Sequence, residues 1–88
     1  MDDSALVLDG NAIAGLMAEI FGVEMTTARC ACAGCGLVEQ LGGEQAYLHA
    51  PGVVVRCRGC SEVLMVVVEA HGRFRVALER LRWVELAR

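Results

Sequence analysis

The sequence predicts a small α+β domain, an N-terminal amphipathic helix followed by antiparallel β-structure folded around two Cys-x-x-Cys elements. Three observations predict it. Apolar residues recur first at helical spacing, glycine-punctuated β-compatible runs follow, and four of the five cysteines fall as two matched pairs within those runs. With 88 residues there is room for one domain and not two. A composition that is 56% hydrophobic and 22% charged lies outside the range in which chains stay disordered. The single domain divides into an N-terminal arm and helix (1–22), a β region carrying the cysteine pairs (23–69) and a C-terminal strand extension (70–88).

Ile13, Leu16, Met17, Ile20 and Phe21 repeat at the i, i+3, i+4, i+7, i+8 spacing of one helical face, with Glu19 off the stripe. The helix is expected over residues 11–21. Asp9 or Asn11 can cap its start, and Gly22 suits the left-handed residue just past its end. Such a stripe packs against its own domain or docks on a partner.

The β-compatible runs are Met25 to Cys30, Leu37 to Leu41, Ala46 to Ala50, Val53 to Cys57, Glu62 to Glu69 and Arg73 to Leu78. Gly42-Gly43, Pro51-Gly52 and His71-Gly72 lie between runs and supply turns. After Leu78 the pattern fits a further strand or a short helical turn, and we expect irregular structure there. Val53-Val54-Val55 and Val63 to Val68 are apolar at consecutive positions, so both faces of those strands need cover. The helix can cover one face; the C-terminal segment or a second subunit must cover the other, which predicts a homo-oligomer.

Cys32-Ala33-Gly34-Cys35-Gly36 and Cys57-Arg58-Gly59-Cys60-Ser61 carry the chemistry, with 21 residues, Gly36 to Arg56, between the pairs. Two thiolates three apart on a tight turn reach one ion from the same side while turn N–H groups hydrogen-bond the sulfurs. A second such turn completes a tetrahedron. Gly34, Gly36 and Gly59 allow the backbone near the metal or a positive φ. The expected ligands are therefore Cys32, Cys35, Cys57 and Cys60. Cys30, the fifth thiol, either substitutes for Cys32 or lies buried beside the site.

This pattern resembles a zinc ribbon over roughly residues 25–69, in which each Cys-x-x-Cys knuckle sits at a hairpin tip and two hairpins clamp one zinc. The second knuckle departs from the commonest pattern, having no proline inside it and Ser61 where a glycine often follows. The opening Leu8-Asp9-Gly10-Asn11-Ala12-Ile13-Ala14-Gly15-Leu16 and the stretch Val23-Glu24-Met25-Thr26-Thr27-Ala28-Arg29-Cys30 also resemble a small bacterial family of unknown function. An arginine-only basic complement, with no lysine, matches the coding bias of a GC-rich bacterial genome.

Four thiolates leave no coordination position for water or substrate, and no nucleophile with a base at recognisable spacing and no phosphate-binding loop occurs, so an enzyme is not expected. His49 and His71 stand alone as surface or packing residues. The leading reading is a structural zinc-ribbon module that binds a protein partner or itself. An alternative is nucleic-acid contact through Arg56, Arg58, Arg73, Arg75, Arg80 and Arg82, with Tyr47, Phe74 and Trp83 as the few aromatics. Charge divides unevenly: residues 1–55 carry one arginine against seven carboxylates, residues 56–88 seven arginines against four, and the total of −3 repels a polyanion at long range. A rubredoxin-like iron electron carrier is the other alternative, because iron and zinc share tetrahedral S₄ geometry; the scarcity of aromatic residues near the knuckles argues against it. The acidic start Met1-Asp2-Asp3-Ser4 and the paired thiols predict a cytoplasmic protein, and the longest apolar run is too short to span a bilayer.

Overall fold

Asp9 opens the helical segment by accepting a hydrogen bond from the Asn11 backbone N–H at 3.1 Å. The structure, a computed structural model, describes residues 6–49 and 52–87, so Met1 to Ser4, Ala50 at the end of an expected run and Pro51 of the expected Pro51-Gly52 turn lie outside the described residues. The helix expected over 11–21 starts as a 3-10 turn, Gly10–Ile13, and is α-helical only over α1, Ala14–Phe21. Its first residue is held closely against the segment 41–44. Gly10 donates its N–H to the Glu44 carbonyl at 2.8 Å, and a β-carbon there would collide with the Leu41 carbonyl oxygen. At the other end Gly22 takes φ +77° and closes the helix on the Ala18 carbonyl. Ile13 and Met17 are buried, Leu16 and Ile20 pack against the core, and Phe21 is 40% exposed, so the stripe turns outward at its last position.

Among the described residues, eight strands form two antiparallel sheets. The larger has the order β1-β4-β5-β6-β7, where β1 is Leu6–Asp9, β4 Gln45–His49, β5 Gly52–Arg56, β6 Val63–Ala70 and β7 Arg73–Leu78. In the smaller, β2 (Arg29–Cys32) lies between β3 (Val38–Gln40) and β8 (Leu81–Glu85). Three elements depart from expectation. β1, expected as an arm, pairs with β4, Leu8 opposite Ala46. β2 begins at Arg29 and not at Met25, because the Ala28 N–H turns back to the Met25 carbonyl at 3.0 Å. Residues 81–85, expected to be irregular, form a strand on β2 with Cys30 opposite Val84.

One core joins the layers. Ile13 and Met17, then Cys30 and Cys32 of the small sheet, then Ala46, Val55, Met65 and Val67 of the large sheet belong to a single buried cluster, with Leu81 and Val84 packed on it. The alternation of β-strand side chains sends the intervening residues to the far face of the large sheet. There Val7, Tyr47, Val54, Val66 and Ala77 stand opposite one another in register, forming an apolar row across all five strands. None of the five packs on the core. Among the described residues no helix is long and apolar enough to cross a membrane.

Candidate metal centre

Both cysteine pairs sit where one antiparallel strand turns into the next. Cys32 ends β2 and Cys35 lies in the turn to β3; Cys57 follows β5 and Cys60 lies in the turn to β6. The two turns repeat the same hydrogen bonds. In the first, Gly36 N–H donates to the Cys32 carbonyl at 2.9 Å, Gly34 N–H to Cys32 Sγ at 3.3 Å and Cys32 N–H to the Leu37 carbonyl at 3.0 Å. In the second, Ser61 N–H donates to the Cys57 carbonyl at 2.8 Å, Gly59 N–H to Cys57 Sγ at 3.3 Å and Cys57 N–H to the Glu62 carbonyl at 2.9 Å. Gly36 and Ser61 occupy the same place and both take positive φ, +80° and +68°. Ser61 departs from glycine without changing the turn, at the steric cost of a β-carbon in the left-handed region.

The turns face each other closely enough to share an ion. The four Sγ atoms of Cys32, Cys35, Cys57 and Cys60 lie within 4.8 Å of one another. Two pairs between the turns, Cys32 with Cys60 and Cys35 with Cys57, are 3.6 Å apart. Such separations match the edges of a tetrahedron with metal–sulfur bonds of about 2.3 Å. Glycine permits the approach from both sides. A β-carbon on Gly34 would sit 3.0 Å from Glu62 Cγ, beyond the second pair, and one on Gly59 would sit 3.1 Å from Leu37 Cδ2, beyond the first. Cys32 and Cys57 are buried and Cys35 and Cys60 exposed, so the cluster has an inner and an outer edge. The donor set suits one metal ion with affinity for thiolate.

Cys30 lies apart from this cluster. Its Sγ is buried, 3.5 Å from the Glu39 carbonyl oxygen and 3.7 Å from Glu44 Oε2. Burial, reinforced by the Glu44 carboxylate, pushes its thiol up to about 12. Of the two roles open to Cys30 in the sequence, the structure places it in the buried one.

Without a metal the four clustered thiols are unequal. Burial acts to raise Cys32, but the N–H groups of Cys35 and Gly34 and the Cys60 thiol outweigh it and lower the group to about 7. Burial dominates at Cys57 and raises it despite the Cys60 and Gly59 N–H groups. At Cys60, an exposed thiol, the Glu62 N–H is outweighed by slight desolvation together with the neighbouring thiols of Cys32, Cys35 and Cys57, which raise it to about 12. Metal binding needs thiolates, so at least two protons leave at neutral pH and Cys32 contributes another below about 7. Apparent affinity for a divalent ion is therefore expected to fall, as pH drops, by at least about 100-fold per unit above pH 7 and about tenfold more steeply below it. Competition titrations with a chromophoric chelator across neutral pH check this, and release of a single proton or fewer contradicts it.

Three of the six arginines named in the sequence have partners within the chain. Arg58 pairs with Glu39 at 3.0 Å, across from one turn to the strand of the other, and Arg80 pairs with Glu62 at 3.5 Å. Arg56 donates to the Ser61 carbonyl at 2.9 Å and lies over the Tyr47 ring, 5.4 Å from its centroid. Arg73, Arg75 and Arg82 are exposed. Of the aromatics, Phe74 packs on the core, Trp83 is in the small sheet and Tyr47 is on the outer face of the large one.

Sequence reasoning missed Glu44, which is fully buried with Oε1 accepting the Arg58 N–H at 2.8 Å. A carboxylate after Gly42-Gly43 reads as a loop residue, and only the meeting of distant segments buries it. Comparison with curated proteins and with solved structures gives no significant match. A family model does match, over residues 2–88, and the chain belongs to that family, DUF6510, a family of unknown function.

Proposed function

We propose that this protein is a structural zinc-ribbon module: one zinc ion held by Cys32, Cys35, Cys57 and Cys60 fixes two hairpins, and the surface they support binds protein. The observation that carries the reading is the sulfur cluster itself, four thiols within 4.8 Å at two turns with matching hydrogen bonds. Four sulfurs fill a tetrahedron and leave no position for substrate, which favours a structural over a catalytic ion. Neither turn contains an aromatic residue, in keeping with zinc over an iron electron-transfer centre. Elemental analysis of native protein tests the metal, with one zinc per colourless chain expected; a red, iron-containing protein overturns the assignment.

Protein binding is supported by the outer face of the large sheet. Val7 is 50% exposed there, and Tyr47, Val54, Val66 and Ala77 are only half-buried. An apolar sheet face of this kind calls for cover. Self-association through it predicts a mass in solution above that of one chain, with Val54→Glu shifting the protein to monomer. Sedimentation velocity over a range of concentrations checks this. A wild-type protein that is monomeric throughout overturns self-association.

A further inference from the structure

The two cysteine turns differ in one hydrogen bond. Between Cys32 and Cys35 the Ala33 N–H donates to a main-chain oxygen, the Arg80 carbonyl, at 2.8 Å. The corresponding N–H between Cys57 and Cys60 belongs to Arg58, and its acceptor is the side chain of Glu44, also at 2.8 Å. Glu44 is fully buried and is the one charged residue in the buried set among the described residues. Burying a carboxylate is costly unless its oxygens are used. Both are engaged: Oε1 by Arg58 and Oε2 by Cys30 Sγ at 3.7 Å. Its main chain is tied as well, the N–H to the Leu41 carbonyl at 3.1 Å and the carbonyl to the Gly10 N–H at 2.8 Å. One residue thus joins the second turn, strand β2 of the first hairpin and the start of the helical segment.

We infer that Glu44 is a positioning residue of the metal centre, holding the Arg58 N–H so that Cys57 and Cys60 are set for the ion as the Arg80 carbonyl sets the first turn. The inference rests on the metal reading proposed above. The Glu44 carboxylate hydrogen-bonds to none of the four clustered sulfurs; it acts through the backbone between two of them. Outer partners of this kind typically change metal affinity by about 10–100-fold when removed.

The test uses the full chain and cobalt(II) as a spectroscopic probe, with zinc affinity measured by chelator competition. Glu44→Gln keeps an oxygen for the Arg58 N–H and is expected to bind within about threefold of wild type, whereas Glu44→Ala and Glu44→Leu lose about 10–100-fold at unchanged stoichiometry and shift the cobalt ligand-field bands. Wild-type affinity in Glu44→Ala, or an equal loss in Glu44→Gln, overturns the role. Should the alanine and leucine variants not fold, amide hydrogen exchange of the zinc-loaded wild type decides: a protected Arg58 N–H supports the role, and exchange at the rate of an open loop overturns it. A wild-type chain that binds neither ion overturns the metal reading and this role with it; indifference to Glu44 in a chain that does bind overturns the role alone.

Discussion

Excess chelator at neutral pH is expected to unfold this protein, and restored zinc to refold it. The first cysteine turn extends from β2, the middle strand of the small sheet, and the second joins β5 to β6, interior strands of the large one. An ion shared by the turns therefore ties the two sheets together. Structural zinc contributes about 10–16 kcal/mol in small peptides at neutral pH, as much as the whole stability of a typical domain, about 5–15 kcal/mol. A chain of 88 residues has a small apolar core to set against that loss. Cys32 and Cys57 belong to that core, so metal release disturbs buried packing as well as surface turns. Circular dichroism during thermal unfolding, with and without chelator, gives the result; an unchanged midpoint in protein shown to be metal-free would contradict it.

Replacing single cysteines is expected to separate the fifth thiol from the other four. Cys57→Ala removes one of four donors and should lower zinc affinity by more than the roughly 100-fold that outer-shell changes reach. Cys35→Ala and Cys60→Ala should behave alike despite the exposure of their thiols, because the sulfur cluster includes both. Cys30→Ala should retain one ion per chain and lose stability instead, by about 1–3 kcal/mol, since Glu44 Oε2 and the Glu39 carbonyl lose a buried neighbour. Native mass spectrometry reads the stoichiometry and urea titration the stability. If Cys30→Ala lost the ion while Cys32→Ala kept it, the ligand set would have to exchange those two residues.

The parts of this architecture that were legible in advance are those fixed by neighbours in sequence. Cys-x-x-Cys spacing sets the two sulfurs of each pair on one turn, and the repetition of that spacing named the four cysteines that the fold then clusters. Helical spacing from Ile13 onward and the valine runs of β5 and β6 are likewise local patterns. What escaped reading depends on distant partners. Leu6–Asp9 becomes a strand because β4 is beside it, and Leu81–Glu85 because β2 has a free edge. Glu44 acquires its role only when the Arg58 N–H and Cys30 arrive on either side. Ser61 shows the opposite lesson: its departure from the usual glycine was visible, but the paired hydrogen bonds around Cys57 hold its backbone at φ +68° all the same.

The placement of β8 bears on how the molecule is made. A nascent chain leaves the ribosome N-terminus first, so all four clustered cysteines emerge before Arg80, whose carbonyl holds the Ala33 N–H, and before Leu81–Glu85, which completes the second edge of β2. The Cys57 turn, with Glu44 already synthesised ahead of it, can take shape earlier than the Cys32 turn despite coming later in the chain. The Cys32 turn is thus braced only once Arg80 and Leu81–Glu85 have been made, and a chain stalled after Leu78 would present the sulfurs with that turn unsupported.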